Sequence, residues 1–532
     1  MNLWRQKARC IVVMPLVLGA CPGNADSIET SEATATTCEP LSVTMTEEWL
    51  EADLPSVADR SHTPAGVALG DIDGDGWLDA LMAYGGGAAA LRNDGAGRLV
   101  LAPEWSLPGA PLPQASSAAL LDFDGDGDVD FYLGREYEQE DLILRNDGPG
   151  GFVGEVIPAS YSATTTGSFA DFDGDTDLDF FLAATSTSTE GMEIIDGEVE
   201  GGDGCMLYLQ NEGGHFVNAT HRLPQDLLRG WTFQGSPLDV DGDGDLDLYL
   251  VNDFGPWFGG NQLLLNDGNA NFTAATDCYC NLEMFGMGAA VGDANGDALP
   301  DLFLTDVGSP NLLLNNGANA FYDATMAMGT YVPAEEDSLT SWGTAFVDLD
   351  QDSWNDIVVT YGQLGQPELL EHLDGGAGWV DGEEQPDVLL LGSADGFTRA
   401  DVGWNDPSRT RAVAIGDLDR DGRPDLVTAG KYFLRQWHTE GGCAPGVRVT
   451  TDAGGKNRQG IGSRVQVELG DRVLTQWMLP STSGSSSAPE LYFGLGGAEG
   501  AARVTVTWPD GTTSEAEDVV AGELLAFTIG GA

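Results

Sequence analysis

The stretch Asp71-Ile-Asp73-Gly-Asp75-Gly-Trp77-Leu-Asp79 decides the fold, because its spacing returns along most of the chain. The pattern Asp-x-Asp/Asn-x-Asp-x-x-x-Asp occurs seven times, and each copy leads directly into a short apolar segment. Successive copies begin 51, 49, 68, 54, 55 and 69 residues apart, at Asp71, Asp122, Asp171, Asp239, Asp293, Asp348 and Asp417. Repeats of about fifty residues, built from strands and turns, predict the blades of a β-propeller.

Each copy has the composition of a loop that binds a hard divalent cation. Carboxylates at positions 1, 3 and 5 alternate with glycines, whose left-handed backbone angles let a tight coil turn the carboxylates inward. Position 7 offers a backbone carbonyl and the Asp at position 9 can bind with both oxygens, which gives about six or seven oxygen ligands. Such a ligand set predicts Ca²⁺. The EF-hand is excluded, because the last acidic ligand stands at position 9 and a strand follows it.

The predicted calcium ligands are positions 1, 3, 5, 7 and 9 of all seven copies, which we call loops 1 to 7. They are Asp71, Asp73, Asp75, Trp77 and Asp79 in loop 1, Asp122, Asp124, Asp126, Asp128 and Asp130 in loop 2, and Asp171, Asp173, Asp175, Asp177 and Asp179 in loop 3. Loop 4 contributes Asp239, Asp241, Asp243, Asp245 and Asp247, and loop 5 contributes Asp293, Asn295, Asp297, Leu299 and Asp301. Loop 6 contributes Asp348, Asp350, Asp352, Trp354 and Asp356, and loop 7 contributes Asp417, Asp419, Asp421, Arg423 and Asp425.

An alternative interpretation is that the loops are Asp- and Gly-rich surface turns, which are common between strands. Two bare carboxylates at about 4 Å repel by roughly 4 kcal/mol at a surface-like dielectric constant. Each loop gathers three or four of them. Because a bound divalent cation inverts this repulsion, metal binding is the favoured interpretation, with up to seven structural Ca²⁺ sites.

The loops differ in their glycines. Loops 2 and 4 keep every feature, whereas loop 3 has Thr176 and loop 5 has Ala298 at position 6. Loop 7 has Arg420 at position 4, and loop 6 has no glycine and carries Gln351 and Ser353. We predict that loop 6 binds calcium most weakly, because side chains occupy its left-handed backbone positions.

The composition is strongly acidic. The 532 residues include 23 Lys and Arg against 85 Asp and Glu, for a formal net charge of -62. The loops account for 27 of the acidic residues, and seven Ca²⁺ ions would bring the net charge to -48. The remaining charge disfavours nucleic acid and anionic lipid surfaces as partners, and it favours cations or basic proteins.

The N-terminus predicts export from the cytoplasm. A basic segment is followed by the apolar run Ile11 to Leu18 and by Leu18-Gly19-Ala20-Cys21, which resembles a bacterial lipobox. We expect a signal peptide over 1–20 and a lipid-anchor spacer over 21–40, with Cys21 as the lipidated residue. A plain secretory signal is the alternative, so the protein is either a surface or outer-membrane lipoprotein or secreted. No other apolar stretch reaches membrane-spanning length, so membrane attachment is expected only through the lipid.

Five cysteines remain after the signal and the anchor. In an oxidising compartment they can form at most two bridges and leave one thiol. The five are Cys38, Cys205, Cys278, Cys280 and Cys443. Cys38 and Cys443 flank the repeats, and we hypothesise that a bridge between them clasps the first strand to the last blade.

Between the loops the sequence reads as strands and hairpins. Loop 4, for example, leads into the apolar strand 247–251, a second strand at 262–265, the turn Asn266-Asp267-Gly268 and Phe272. An aromatic residue follows the turn in most repeats, and its spacing predicts a place in the core between blades. These aromatic residues are Phe152, Phe216, Phe272, Phe321 and Phe397.

The repeats resemble the FG-GAP, or VCBS, blades of integrin alpha-subunit propellers and of many bacterial surface proteins, as Val67-Ala-Leu-Gly-Asp71 illustrates. The segments Gly460–Val465, Leu491–Leu495 and Val504–Gly511 resemble the UnbV/ASPIC domain of cartilage acidic protein and its bacterial relatives. The resemblance implies an all-β protein with a seven-bladed β-propeller over 41–443 and a UnbV/ASPIC β domain over 446–532. It also implies that the calcium loops are structural.

Independently of the resemblance, residues 446–532 are predicted to form a small all-β domain, because apolar and polar residues alternate at 464–469 and 503–508. Its residues Arg458, Arg464 and Arg472 are interpreted as scattered solvated charge in preference to a binding patch. The Ser-rich stretch Ser481 to Ser487 is interpreted as a loop and not as a nucleophile elbow.

We expect a non-catalytic, monomeric binding or adhesion-type module at the cell surface that recognises a protein or a glycan. No convergent set of nucleophile and base is visible, and the five histidines are interpreted as ordinary surface or strand-end residues. A calcium-dependent polysaccharide-degrading enzyme is the alternative, in which carboxylates outside the loops, such as Asp253, Asp306 and Glu371, would pair in a cleft. A purely architectural surface-layer component is a third possibility.

Three insertions could supply the ligand-binding surface: Ser186 to Gly204, Asn252 to Asn261 and Gln363 to Asp387. The second carries Phe254, Trp257 and Phe258, and aromatic rings beside carboxylates could bind sugars or a protein. Packing of these rings against neighbouring blades is the alternative.

Overall fold

The computed structural model describes residues 38–530 except 51–64, 85–86, 104, 106, 109–111, 113, 137–138, 149–150, 161–162, 186–203, 226–229, 332–338, 363–384, 403, 405–408, 431–432, 480 and 483. The expected signal peptide, Cys21, Glu371 and most of two insertions lie outside this part. The described residues belong to one compact unit. Within the described ranges, no helix combines the length and the apolar character that crossing a membrane requires.

In the described residues, six repeats form separate four-stranded antiparallel sheets, and the four strands of the first repeat belong to a six-stranded sheet that two strands from the C-terminal part complete. Strand β1 (Glu39–Leu50) comes first in the chain. Blade 1 comprises β2 (Gly66–Gly70), β3 (Asp79–Tyr84), β4 (Gly87–Asn93) and β5 (Leu99–Leu101). Blade 2 comprises β6 (Ala115–Leu121), β7 (Asp130–Arg135), β8 (Leu142–Asn146) and β9 (Phe152–Val156). Blade 3 comprises β10 (Ala163–Ala170), β11 (Asp179–Thr185), β12 (Met206–Gln210) and β13 (Phe216–Asn218), which a 3-10 turn (Thr220–Arg222) follows.

The next blades repeat this order. Blade 4 comprises β14 (Trp231–Leu238), β15 (Asp247–Asp253), the short helix α1 (Gly255–Phe258), β16 (Gln262–Asn266) and β17 (Phe272–Ala274). Blade 5 comprises β18 (Gly288–Gly292), β19 (Asp301–Thr305), β20 (Asn311–Asn315) and β21 (Phe321–Asp323). Blade 6 comprises β22 (Ser341–Val347), β23 (Asp356–Tyr361), β24 (Val388–Leu391) and β25 (Thr398–Ala400). Blade 7 contains β26 (Thr410–Gly416), β27 (Asp425–Gly430) and β28 (Phe433–Gly442).

The N-terminal strand closes the ring. Blade 7 takes β1 as its fourth strand, in the order β1-β28-β27-β26. The first strands of successive blades pack on one another, and β26 packs on β2. The hypothesised disulfide is confirmed, because Cys38 is bonded to Cys443 across this closure. Cys278 is bonded to Cys280, and Cys205 remains as a buried free thiol.

Each blade interface has its own hydrophobic cluster. Continuous apolar strands supply both faces of each sheet, as stacked blades require. The aromatic residue after the hairpin turn lies in the cluster shared with the preceding blade, for example Phe272 with Phe172 and Phe321 with Tyr249. The predicted role of these residues as core between blades is confirmed, and the all-β propeller fold with it.

The strand order separates two faces. Every Asp loop joins the first and second strands of its blade, and the hairpin turns such as Asn266-Asp267-Gly268 join the third and fourth. Both sets therefore lie on one side of the ring, which we call the loop face. Connections between second and third strands, including the insertion Asn252 to Asn261, belong to the other side, which we call the opposite face.

The C-terminal residues form a small β domain. Its strands are β29 (Val447–Asp452), β30 (Arg464–Leu469), β31 (Arg472–Trp477), β32 (Ser481–Thr482), β33 (Ser485–Ser486), β34 (Leu491–Phe493), β35 (Gly500–Thr507), β36 (Thr513–Val520) and β37 (Leu524–Thr528). Two sheets, β34-β29-β37 and β31-β30-β35-β36, enclose a core that includes Val449, Val465 and Trp508.

The hairpin of β32 and β33 lies inside the ring of first strands. β32 contacts β10, β14, β18, β22 and β26, while β33 contacts β2, β6 and β26. Ser486 pairs with Ala68 in parallel, and the Ala118 N–H donates to the Gly484 carbonyl at 3.1 Å. The Val67 N–H donates to Ser485 Oγ at 3.2 Å. The interpretation of Ser481 to Ser487 as a loop is therefore wrong, because backbone pairing with β2 makes it the strand pair that fills the axial channel from the loop face.

Candidate metal centres

All seven loops have one backbone geometry, although their sequences differ. Positions 4 and 6 have φ between 59° and 101° in every loop. Where glycine is replaced the angle persists, at 73° for Thr176, 67° for Ala298, 59° for Gln351, 80° for Ser353 and 62° for Arg420. Left-handed angles cost a non-glycine residue about 1–2 kcal/mol. The fold therefore imposes the coil even where the sequence disfavours it.

The carboxylates hold the coil from inside. In all seven loops the position 6 N–H donates to Oδ2 of the position 1 Asp, at 2.8–3.2 Å. The position 7 N–H donates to Oδ1 of position 5, at 2.8–3.0 Å. These bonds fix the acidic side chains toward the loop interior, where their carboxylate oxygens converge.

The position 9 Asp is the buried anchor of each loop, at most 2% exposed. Its Oδ2 accepts the position 2 N–H at 2.9–3.1 Å. In blades 1 to 5 its Oδ1 accepts the N–H of the last residue of the third strand, at 2.7–2.9 Å. In blades 6 and 7 the donors are the N–H groups of Gly392 and Thr439, at 2.8 and 3.0 Å. Each carboxylate has about four lone-pair sites, so two remain for a cation.

Burial raises the pKa of these anchors, against the lowering effect of their backbone hydrogen bonds. The pKa rises to about 7 for Asp79 and Asp130, and to about 8 for Asp179, Asp247 and Asp301. The charges of neighbouring loop carboxylates add to the rise. The protein thus holds several acidic groups where their charged forms are disfavoured unless a cation compensates them.

Unpaired oxygens show that the donor set fits a metal ion. Oδ1 of Asp71, Asp173 and Asp417 is buried and has no hydrogen-bond partner. In loops 1 to 3, oxygens of positions 1, 3 and 9 lie within 4.8 Å of one another, as do those of positions 1, 3 and 5 in loop 4. Hard oxygen donors at this density suit Ca²⁺. These clusters could bind metal ions, and the assignment of every predicted ligand stays a prediction.

A histidine from a neighbouring strand lies beside loop 7. His438 Nδ1 lies 3.1 Å from Asp425 Oδ1 and 3.4 Å from Asp419 Oδ2. Its hydrogen bond to Asp425 raises the pKa of His438 to about 9. The interpretation of His438 as an ordinary strand-end residue is wrong, because β28 brings it beside a loop that ends thirteen residues earlier.

The C-terminal domain covers part of the loop face. Basic residues from it contact loops 2, 3, 6 and 7. Lys456 Nζ lies 2.5 Å from Asp177 Oδ2, Arg458 Nε 3.8 Å from Asp122 Oδ2, and Arg448 Nη1 2.5 Å from Asp417 Oδ2. Arg472 donates to Ser353 Oγ at 2.7 Å and stacks on Trp354. Arg458 and Arg472 are therefore not scattered solvated charge, because the acidic loops of the propeller are their partners.

A set of side-chain amides links neighbouring blades, and the sequence did not reveal it. In blades 1 to 5 the amide at the end of the third strand donates to the position 2 carbonyl of the preceding blade's loop. The pairs are Asn93 to Leu418, Asn146 to Ile72, Gln210 to Phe123, Asn266 to Phe172 and Asn315 to Val240, at 2.8–3.0 Å. The recurring Asn before Asp-Gly was the available clue, but it reads equally well as a plain turn residue.

We predict that Asn266→Ala lowers the free energy of unfolding by about 2 kcal/mol, because the Leu246 carbonyl loses its side-chain donor and the Phe172 carbonyl retains a backbone donor. Asn266 donates to both Phe172 O and Leu246 O. Urea unfolding measures the change. The control is Asn271→Ala, since Asn271 is exposed and, among the described residues, its side chain donates hydrogen bonds to Asp267 alone. Equal unfolding midpoints for the two variants would contradict the linking role.

We also predict that loop 6 is the weakest calcium site, by about tenfold, because two left-handed side-chain positions must be held when the ion binds. Isothermal titration of Asp122→Ala, Asp239→Ala and Asp348→Ala measures the ranking. Asp348→Ala should leave the strongest class of sites unchanged, whereas each of the other two should remove a strong site. The reverse pattern would show that burial under the C-terminal domain outweighs backbone strain.

Comparison with models of protein families identifies the families that segments of this chain match. The model of the ASPIC and UnbV family matches residues 453–532, and that of the FG-GAP-like repeat matches residues 71–133, 122–182, 239–304 and 293–359. The chain is an FG-GAP repeat protein with a C-terminal ASPIC and UnbV domain. The four matched repeats contain loops 1 to 6, and the ASPIC and UnbV domain is the one that inserts the axial hairpin.

Solved structures share only a general likeness with this FG-GAP repeat protein. An Agrocybe aegerita lectin specific for non-reducing terminal N-acetylglucosamine is 16% identical, with 76% of this chain and 100% of the lectin covered, at a TM-score of 0.40. Virginiamycin B lyase from Staphylococcus aureus is 10% identical, with 75% and 99% covered, at a TM-score of 0.43. These scores support no conclusion about ligand or activity. No curated protein matches the chain.

The two families indicate an extracellular binding or adhesion-type propeller module. FG-GAP repeats commonly bind calcium, which agrees with the convergent carboxylates of the loops.

Proposed function

We propose that this chain is a calcium-stabilised extracytoplasmic binding module, displayed as a surface lipoprotein or secreted, that recognises a protein or a glycan without catalysis. The observation that carries the proposal is the set of carboxylates that converge around a buried position 9 Asp in the loops between the strands. Bound Ca²⁺ would neutralise them and fix the loop face, in keeping with a structural role for the ions.

The position of the C-terminal domain supports different roles for the two faces, with the loop face partly covered and the opposite face open to ligands. Its hairpin fills the axial channel, and its basic residues contact four of the loops. Ligands then have the opposite face available, where the insertion Asn252 to Asn261 presents aromatic side chains. Such an insertion on a stable scaffold suits recognition, since binding residues concentrate on loops that a rigid fold positions.

Arrays of glycans and of extracellular proteins, probed in calcium and in EDTA, test the proposal. Saturable binding that requires calcium and releases no product is the expected result. If the protein binds nothing on either array in calcium, the proposed function is wrong.

A polysaccharide-degrading enzyme is the second candidate, and one observation favours it. Asp253 and Asp306, on adjacent blades, interact electrostatically, and burial followed by the charge of Asp306 raises the pKa of Asp253. Paired carboxylates with raised pKa are the acid–base groups of glycoside hydrolysis. Release of reducing ends from a bound polysaccharide, abolished by Asp306→Asn, would establish this activity and refute the non-catalytic one.

A further inference from the structure

Five aromatic rings form a continuous cluster on the opposite face between blades 4 and 5. They belong to Trp231, Phe254, Trp257, Phe258 and Phe285, and we call them the aromatic platform. Trp231 stacks on Phe258, with centroids 6.1 Å apart and planes at 6°, and meets Phe254 edge-on at 5.1 Å. Trp257 contacts Phe285 at 5.6 Å and is 47% exposed. The platform is thus anchored below and open to solvent at Trp257, with Phe258 and Phe285 half-buried.

Backbone hydrogen bonds hold the platform rigid. The Gly255 N–H donates to Met284 O at 2.9 Å, the Asn261 N–H to Leu282 O at 2.9 Å and the Gly286 N–H to Asn252 O at 3.0 Å. Phe254 has φ of 52°, a left-handed angle that is rare for a bulky aromatic residue. Strained backbone of this kind persists where the surrounding structure enforces it, and it concentrates at functional sites.

Three polar atoms beside the rings have no hydrogen-bond partner among the described residues. Asp253 precedes Phe254, is 5% exposed and accepts one hydrogen bond, from the Phe254 N–H to Oδ1 at 2.7 Å. Asp306 accepts the N–H groups of Phe285 and Val307, both on Oδ1. Among the described residues no donor reaches Oδ2 of either carboxylate, and Trp231 Nε1–H is buried without an acceptor. The site therefore has two carboxylate acceptors and one indole donor next to the exposed ring of Trp257.

We propose that the aromatic platform, with Asp253, Asp306 and Trp231 Nε1–H, binds a neutral saccharide. The inference rests on the proposed function and narrows its ligand class. The apolar C–H faces of a sugar ring pack against aromatic rings. Its hydroxyl groups can donate hydrogen bonds to carboxylates and accept one from an indole N–H. An anionic sugar is disfavoured by two carboxylates and a net charge of -62. An organic cation would satisfy the rings and carboxylates but leave the indole N–H unmatched.

Calorimetric titration of the full chain in saturating calcium tests the site. The probes are maltohexaose, cellohexaose, xylohexaose, mannohexaose and N-acetylchitohexaose, with tetramethylammonium as the cationic probe. We expect at least one oligosaccharide to bind, Trp257→Ala to weaken it at least tenfold, and Asp306→Asn to weaken it while leaving the melting temperature unchanged. Tyr322→Ala is the matched control, because Tyr322 is 50% exposed on the edge strand β21, away from the platform.

Three results would overturn the inference: no binding of any oligosaccharide, equal affinity of wild type and Trp257→Ala, or binding of tetramethylammonium alone at the platform. The proposed function would survive the first of these if the protein array yields a calcium-dependent protein ligand. The proposed function and the inference fail together if both arrays and the titrations are negative.

Discussion

Removal of calcium with EDTA is expected to lower the melting temperature by about 10 °C or more. At an ion concentration ten times the dissociation constant, one site adds about 1.4 kcal/mol to the free energy of unfolding, so seven sites add up to about 10 kcal/mol. That sum rivals the whole stability of a domain. For a chain of this size each kcal/mol shifts the melting temperature by about 1–2 °C, below the range of smaller domains. Differential scanning calorimetry measures the shift.

The control for this prediction is the addition of calcium after chelation. Calcium in excess of the chelator should restore the original melting temperature, whereas Na⁺ at matched ionic strength should not, because monovalent charge cannot satisfy six or seven oxygen ligands. A melting temperature that is the same in calcium and in EDTA would show that the loops are solvated turns.

Gly66→Val is expected to destabilise the protein by about 3 kcal/mol or more, at the upper end of overpacking effects. A Cβ atom at Gly66 would lie 2.2 Å from the Gly484 carbonyl oxygen and 2.9 Å from the Ala118 nitrogen, and both atoms are backbone. The axial hairpin must then leave its place or β2 must shift. Urea unfolding measures the loss, and limited proteolysis should find new cleavage within residues 479–490.

Gly154→Val is the matched control for Gly66→Val. Gly154 is also a strand glycine, but its nearest neighbour would be Leu144 Cδ2 at 3.6 Å, an ordinary contact. We expect a change of a few tenths of a kcal/mol there. If the two variants unfold at the same urea concentration and resist protease equally, the hairpin does not depend on β2.

The propeller could be predicted from sequence because its information is local and repeated. The Asp pattern, the apolar strands and turns of the form Asn-x-Gly each return in most blades, so chance explains none of them. The Cys38–Cys443 bridge followed from the same logic, since a ring needs a closing contact between its ends. Even the substitutions at positions 4 and 6 were informative, because Gln351 and Ser353 occupy the left-handed positions that the pattern assigns them.

What the sequence did not reveal depends on contacts between distant segments. The hairpin 481–486 enters a channel built from seven blades, and its short Ser-rich strands have no alternation of apolar and polar residues to mark them. Arg448 and Arg472 find their acidic partners only after two domains dock. The amide of Asn266 reaches Phe172 O, 94 residues away, through a ring geometry that no local pattern encodes.

The candidate sites divide in the same way. The loop ligands are defined within nine residues, and their convergence follows from one turn of backbone. The pairing of Asp253 with Asp306 and the platform around Trp257 needed the packing of blade 4 on blade 5, although the insertion Asn252 to Asn261 pointed to the correct segment. Recognition chemistry is therefore harder to predict than metal chemistry in this fold.

Metal analysis of the purified protein, dialysed against calcium near physiological extracellular concentration and then against metal-free buffer for a short interval, tests the central claim most directly. We predict up to seven bound calcium ions per chain, one for each loop, and one ion fewer in Asp239→Ala. Protein that carries no calcium after equilibration would contradict it.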